Sequence, residues 1–319
     1  MARRSKRSPR SLPRFGNWFV GLNVGVALIL GGWYLFQPDT RQHEVRRLVE
    51  NAFAHEKRVT VFDVVWDVWQ LYYADGPAGR IAAGDKTFVY GGSPVFTGSS
   101  APIPLRILKN QAYVTGYNDA TGNPAWVAYH LRDLDTLREP SPRPDKFEVD
   151  RRTVARIAPE DYAGTGYDRG HLAPNYAIAT RFGDAAQRET FLMSNITPQL
   201  HALNAGVWKE LEMKIATSYP ARYAEVWVFA GPIIGQNPDR LRGGIMIPEA
   251  FYMIIIDEQE QKLRTLSLIV PQAAISTKDL GGYVTTVAEI ERRTHLDFFR
   301  ELDDPAEAEV ATQKASRVW

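Results

Sequence analysis

Nineteen consecutive residues without a charge, Trp18 to Phe36 (WFVGLNVGVALILGGWYLF), constrain the first part of this chain more than any other feature does. Asn23 is their one strongly polar side chain. A helix rising about 1.5 Å per residue would carry them roughly 28 Å, close to the hydrocarbon thickness of a bilayer. Trp18, Trp33 and Tyr34 stand near the ends of the span, where aromatic rings favour the membrane interface. Six cations (Arg3, Arg4, Lys6, Arg7, Arg10 and Arg14) and no acid precede it. Such a bias keeps the N-terminus in the cytoplasm and sends the rest across. The expectation is a basic cytoplasmic tail over 1–16 and an uncleaved single-pass anchor over 17–36. The competing reading is a cleaved signal peptide, whose apolar region is usually shorter and ends at a small-x-small site. Here Gln37-Pro38-Asp39-Thr40 follows instead. The body of the chain is then expected in a bacterial periplasm or on the cell surface. The mitochondrial inner membrane is the alternative that shares these signals.

Removing the basic tail leaves 38 − 6 = 32 cations against 37 anions, a net charge of −5. A mildly acidic body does not predict bulk binding to phosphate, so attraction to a polyanion has to be local. Hydrophobic residues make up 45% of the 319, enough for a substantial core. Cysteine is absent, which excludes disulfides, thiolate metal sites and a thiol nucleophile.

Helical spacing recurs over 41–73, most clearly in Phe62, Val65, Trp66, Trp69 and Tyr73. That face suits either packing on the domain or a membrane-surface or dimer contact. Ala74-Asp75-Gly76-Pro77-Ala78-Gly79 breaks the pattern, so residues 37–80 read as a helical linker region. The main domain is expected over 81–305 and a C-terminal tail over 306–319. Strand-like runs fall at 86–90, 103–107, 111–116, 125–131, 167–172, 224–230, 250–256 and 263–270. Helices are expected at 184–192, 203–218 and 283–294. Strands and helices interleave without a βαβ rhythm, which makes the fold class α+β.

Three stretches carry chemistry. The first is Tyr167-Asp168-Arg169-Gly170-His171-Leu172-Ala173-Pro174-Asn175. Histidine is the side chain best suited to take a proton near neutral pH. On a strand, Arg169 lies on the same face and can hold a phosphate, while Gly170 admits a close approach by backbone or ligand. The second, Phe191-Leu192-Met193-Ser194-Asn195-Ile196-Thr197-Pro198-Gln199, reads as a strand ending in a turn, with Pro198 as the stop. The third is Leu203-Asn204-Ala205-Gly206-Val207-Trp208-Lys209-Glu210-Leu211-Glu212. Asn204 reads as a helix N-cap, and its amide oxygen is also a hard neutral ligand for magnesium. Glu212 is eight residues on, roughly 12 Å along a straight helix, far enough to reach a shared ion through a bound water. His201 is a further candidate for the cleft.

Together these stretches resemble the sugar-non-specific DNA/RNA endonuclease family, of endonuclease G-like ββα-metal type. Asp-Arg-Gly-His stands at 168–171, Ser-Asn-Ile-Thr-Pro-Gln at 194–199 and Leu-Asn…Trp-x-x-Leu-Glu at 203–212. Looser likeness extends over roughly 85–305. The resemblance implies a ββα-metal core with a mixed or antiparallel sheet, and Mg2+, with Mn2+ as a substitute, as cofactor. DNA and RNA would be the substrates, cut to leave 5′-phosphate ends, and family members often form homodimers. It also implies His171 as general base, Asn204 as direct metal ligand, and Glu212 as a catalytic residue holding the metal through water. Arg169 would be a catalytic phosphate contact, and Asn195 an active-site residue supporting base or substrate. Arg143, four residues before Phe147-Glu148-Val149-Asp150, matches a second substrate-binding arginine. An arginine common one turn after the glutamate is replaced here by Ala216. A narrower phosphodiesterase, a DNA-uptake nuclease and an inactive nucleic-acid-binding relative are the alternatives.

Overall fold

The computed structural model describes residues 31–36, 42, 46, 88–97, 105–259, 262–275 and 280–319. The chain divides into two units, Met1–Arg46 and Arg47–Trp319. In the first, residues 31–35 are helical, and Leu35 and Phe36 are exposed. The rest of the expected anchor, and nearly all of the expected helices over 41–73, lie outside the described residues. Among the described residues no helix is long and apolar enough to cross a membrane.

The second unit is α+β. Its strands are β1 (Val95–Phe96), β2 (Arg106–Lys109), β3 (Tyr113–Asn118), β4 (Asn123–Arg132), β5 (Tyr167–His171), β6 (Ile196–Leu200), β7 (Glu225–Ile233), β8 (Ala250–Gln259), β9 (Lys262–Pro271), β10 (Val284–Thr285) and β11 (Leu296–Asp297). Seven form one sheet in the order β10-β9-β8-β7-β4-β3-β2, antiparallel at every pair. The central strands are long because β-branched and aromatic residues fill them, as in Val226-Trp227-Val228-Phe229. Successive side chains point to opposite faces, so Val226, Val228 and Ala230 enter one core while Trp227 and Phe229 enter the other. Burial on both faces explains why β7 reads as a continuous apolar run.

One core is closed by α1 (Asn175–Phe182), α2 (Asp184–Glu189) and a helical rod over 201–223. The rod comprises α3 (His201–Leu203), α4 (Lys209–Met213) and α5 (Tyr219–Tyr223), joined by wide π-type turns at Asn204–Trp208 and Lys214–Ser218. Leu203, Val207, Trp208, Leu211 and Ile215 bury its inner face. The opposite core is closed by α6 (Val287–Thr294), which supplies Val287 and Ile290, together with Phe298 and Phe299. A last helix, α7 (Asp304–Thr312), places Val310 in that same core.

Several expectations change. Residues 88–90 form no strand, because Gly91 and Gly92 follow at φ 67° and 94° and turn the chain. The helix α1 was not expected; Pro174 precedes it and Gly183, at φ 88°, ends it. The second motif also reverses its reading. Its apolar run is followed by a tight turn at Met193–Asn195, and the strand β6 begins only afterwards, with Pro198 inside it. A two-stranded β5–β6 ribbon tolerates that proline because an edge strand need not donate at every position. Residues 306–319 are no loose tail. Trp319 packs edge-on to Tyr219 and Tyr223, with the Arg264 guanidinium 5.5 Å from its ring centre.

Aromatic pairs of this kind contribute about 0.5–1.5 kcal/mol each beyond area burial. Trp319→Ala should therefore lower unfolding stability by about 1–3 kcal/mol on that basis, read as a reduced urea midpoint at unchanged slope. An unchanged midpoint would return the C-terminus to a dispensable tail.

Candidate active site

The β5–β6 ribbon and the helical rod meet at a cavity of about 320 Å³. His171, Arg169, Arg143, Asn204 and Glu212 line it, with Asn175, Tyr176, Lys209 and Met213. Five of the six predicted site residues thus share one cavity, although they come from three separated stretches. Arg169 and His171 lie two apart on β5 and face it together, as strand alternation requires.

His171 is buried at 8% exposure, and its Nε2 has no hydrogen-bond partner. The ring sits between Phe191 and Phe147, with centroids 5.0 and 5.5 Å away. Arg143 lies over Phe191 at 5.2 Å and Arg169 over Phe147 at 5.3 Å. The phenyl rings that wall the imidazole therefore also carry the two guanidiniums, an attraction between cation and ring face. Arg169 gives Nε and Nη2 to the Pro159 carbonyl, at 3.3 and 3.2 Å. Burial first, then Arg143, pushes the His171 imidazole down to about 3. The ring is neutral across the physiological range.

His171 is held by its backbone. Trp208 Nε1 donates to the His171 carbonyl at 3.1 Å. Asn195 is fully buried, and its amide is spent on main chain: Oδ1 accepts from Ala173 N at 2.8 Å, and Nδ2 donates to Ala173 O and Thr190 O at 3.0 and 2.9 Å. Asn195 is thus a clamp on the segment after His171 and does not face the cavity; of the two supports expected of it, to base or to substrate, its contacts match the first. Next to it, Ser194 Oγ donates to Asp150 at 2.6 Å, tying the Phe147–Asp150 segment to the ribbon. Gly170 is needed because a Cβ there would collide with the Gln199 side chain across the ribbon. The close approach expected at this glycine is made by Gln199.

Asn204 is not an N-cap. The helix starts at His201, and Asn204 lies inside its first turn at φ −59°, ψ −48°. The rod unwinds two residues later, at Gly206 (φ −105°, ψ −110°). Wide turns of this kind occur often at functional sites. Asn204 Nδ2 donates to Asp168 Oδ2 at 2.9 Å, and the same oxygen accepts from His201 Nδ1 at 2.8 Å. Holding the amide by its nitrogen leaves its oxygen for another partner. Glu212 Oε1 is buried and unpartnered, and burial pushes this carboxyl up to about 8 against the opposing pull of Arg143, the Trp208 indole and Lys209. Asn175 Oδ1 is a third buried, unpartnered atom on the cavity wall. Ala216 lines the cavity too. Its carbonyl accepts from the buried Arg181, whose guanidinium is used on the Arg132 and Ala216 carbonyls and Thr180 Oγ1 rather than offered to a ligand.

This geometry has relatives. Residues 94–305 match the family model described as DNA/RNA non-specific endonuclease. The chain belongs to the DNA/RNA non-specific endonuclease family.

Membership places it with the endonucleases. It is 30% identical over 222 residues to Nuclease EXOG, mitochondrial, of Xenopus laevis, covering 63% of this chain and 61% of that protein. It is equally 30% identical over 222 residues to Nuclease C1 of Cunninghamella echinulata var. echinulata, across 61% of this chain and 83% of the relative. Endonuclease G, mitochondrial, of Homo sapiens is 29% identical over 216 residues, 60% of this chain and 69% of that one. Among solved structures, a chain from a crystal structure of the EndoG/EndoGI complex matches with a TM-score of 0.53 at 26% identity. That match covers 62% of this chain and 86% of the other.

Sequence reasoning missed three features of this candidate site: the Phe147–Phe191 walls, Asn175, and the Asp168 bridge between His201 and Asn204. Asp168 stood inside a quoted motif but had no assigned partner, since its contacts are 33 and 36 residues away.

The buried imidazole has a consequence for stability. Its folded-state value, about 3, lies below the ordinary 6.5. As pH falls below 6.5 the unfolded chain gains a proton here that the folded chain does not, so stability drops until about pH 3. One proton corresponds to about 1.4 kcal/mol per pH unit. Urea unfolding of His171→Leu between pH 6 and 4 should show an acid slope shallower than wild type by about that amount. Parallel slopes would mean that the imidazole is solvated.

Proposed function

We propose that this chain is a divalent-cation-dependent, sugar-non-specific endonuclease that hydrolyses DNA and RNA to 5′-phosphate ends. The observation that carries the proposal is His171 Nε2 and Glu212 Oε1, both buried and unpartnered on the wall of one cavity that Arg143 and Arg169 also line. Burying polar atoms without partners is unfavourable unless a ligand completes them.

His171, neutral at Nε2, takes a proton from a water as that water attacks phosphorus in line. The P–O bond to the 3′-oxygen breaks, that oxygen takes a proton from solvent to become a hydroxyl, and the phosphate stays on the 5′ side. Arg143 and Arg169 bind the phosphate oxygens, and positioning does most of the work. Arg143 has a second effect. Free, its charge depresses the imidazole; paired with phosphate, it opposes protonation less, so substrate itself makes the base stronger. Contacts to phosphate rather than base edges account for indifference to sequence.

The donors suit magnesium, a hard ion that takes oxygen ligands and keeps several waters. Among the described residues no three His, Asp or Glu side chains gather as a metal cage. We assign Asn204 Oδ1 as the direct ligand and Glu212 as the holder of metal-bound water. When bound, the ion would supply charge stabilisation to the phosphate and the departing oxygen. The acidic body, net −5, favours a second reading, a phosphodiesterase of narrower substrate.

For the first part of the chain, we propose the anchor over 17–36 with the nuclease domain outside the cytoplasm, on the strength of its charge-free span behind six cations.

The full chain with magnesium should degrade plasmid DNA and RNA alike, and EDTA should stop it. Cleavage of small diesters alone would favour the narrower reading. His171→Ala should lower turnover by about 10²–10⁴; near-wild-type turnover would remove the base assignment. Asn204→Ala should damage activity more than Glu212→Ala, which should cost about 10–100-fold and recover more at raised magnesium. The reverse order would exchange their roles. A C-terminal reporter fusion should read outside the cytoplasm; a cytoplasmic signal would remove the anchor.

A further inference from the structure

We infer that Tyr176 and Met213 form a platform for the nucleobase beside the scissile phosphate, so that the preferred substrate is a strand whose bases are free to unstack. The inference rests on the nuclease reading above and names its substrate class.

Large hydrophobic side chains in the Arg47–Trp319 unit are otherwise drawn inward. Among its described residues only Leu134, Tyr176, Met213 and Ile275 stay exposed, and two of these four line the one cavity that holds His171. Tyr176 is 39% exposed and Met213 40%. Tyr176 is the second residue of α1, after the half-buried Asn175; Pro174 and Ala173 before that pair, and Ala177 and Ile178 after it, are buried. The helix is therefore anchored without its ring, which stacks on no aromatic neighbour among the described residues. Met213 closes α4, and its flexible, polarisable thioether suits contact with a flat ring.

A site that bound phosphate alone would have no use for this apolar pair. The cavity divides its chemistry: Arg143, Arg169 and His171 meet charge, while Tyr176 and Met213 offer a face to something flat and apolar. On a nucleic acid, the flat apolar group next to every phosphate is a base. Stacking on an aromatic side chain tolerates any base, since each has a π-face, so a platform here is compatible with indifference to sequence. Asn175, adjacent to Tyr176, adds one buried and unpartnered acceptor for a donor on the same nucleotide. A base within a duplex is already stacked on both sides and is not available to this ring.

The test uses the full chain and three substrates of one length: a single-stranded oligo-dT, the same backbone with every base replaced by an abasic tetrahydrofuran, and an oligo-dT·dA duplex. Cleavage with magnesium gives kcat/KM, and fluorescence anisotropy in EDTA gives affinity. Wild type should favour the base-bearing strand over the abasic one by about 5- to 140-fold, the range for stacking one base on an aromatic ring, and over the duplex as well. Tyr176→Ala should make the single-stranded substrates converge, and Tyr176→Phe and Tyr176→Trp should restore the gap. Equal treatment of base-bearing and abasic strands by wild type would overturn the platform. So would a preference that survives Tyr176→Ala, or a duplex cut as fast as the single strand. Base-dependent binding without cleavage would keep the platform and remove the nuclease reading. Neither binding nor cleavage would remove both.

Discussion

His171 gives up its hydration without gaining a hydrogen bond at Nε2, and the surrounding structure follows from that loss. A charged imidazole would be strongly disfavoured there, so the ring stays neutral and can accept a proton. A neutral ring can be walled by Phe147 and Phe191, and those walls seat the guanidiniums of Arg143 and Arg169 on their faces. Cations are thereby brought close to a group that they would otherwise repel from its protonated form. The same burial raises Glu212 across the cavity. His171 and Glu212 are shifted in opposite directions by one cause, desolvation, a pattern that marks candidate functional sites.

Such a site needs a frame that does not relax to satisfy the orphaned atoms. The sheet provides it: β7, flanked by β4 and β8, is buried on both faces, and the rod that carries Asn204 and Glu212 packs Leu203, Val207, Trp208 and Leu211 onto one of them. Trp208 serves both ends of this arrangement, lying in the core while its indole nitrogen holds the His171 carbonyl. Asn195 performs the matching task from the other side by clamping Ala173. A straight helix would set Asn204 and Glu212 about 12 Å apart along its axis. Both line one cavity here, on a rod whose regular winding is broken at Gly206.

How much of this could be read from the sequence depended on how local its cause was. The strands β4, β7, β8 and β9 were legible because their β-branched and aromatic runs are long, and the α+β class followed. His171, Arg169, Asn204 and Glu212 were legible because their motifs are contiguous. The helix α1 was not: its apolar signal is only Ala177, Ile178 and Ala179, between a proline and a glycine. Nor was β6, because a proline inside a strand argues against the strand unless the ribbon is known to be two-stranded. Whether Asn195 supports the segment after His171 or a substrate was not legible, because an amide spent on main chain looks, in sequence, like one offered to a ligand. The walls of the base were beyond reach, since Phe147 and Phe191 meet from 44 positions apart.

The mildly acidic body is easier to reconcile with a nucleic-acid substrate once the site is seen as local. Long-range attraction scales with net charge and is screened over about 8–10 Å at physiological salt. Contact with a phosphate inside the cavity depends instead on the few charges within a few ångströms. Arg143, Arg169 and Lys209 line the cavity and supply that short-range charge, so the remaining surface is free to be acidic. A protein built this way gains little from sliding along a polyanion by bulk electrostatics. On the proposed function its grip would come from a handful of phosphates, and the exposed apolar pair in the same cavity would give that grip a component that salt does not weaken.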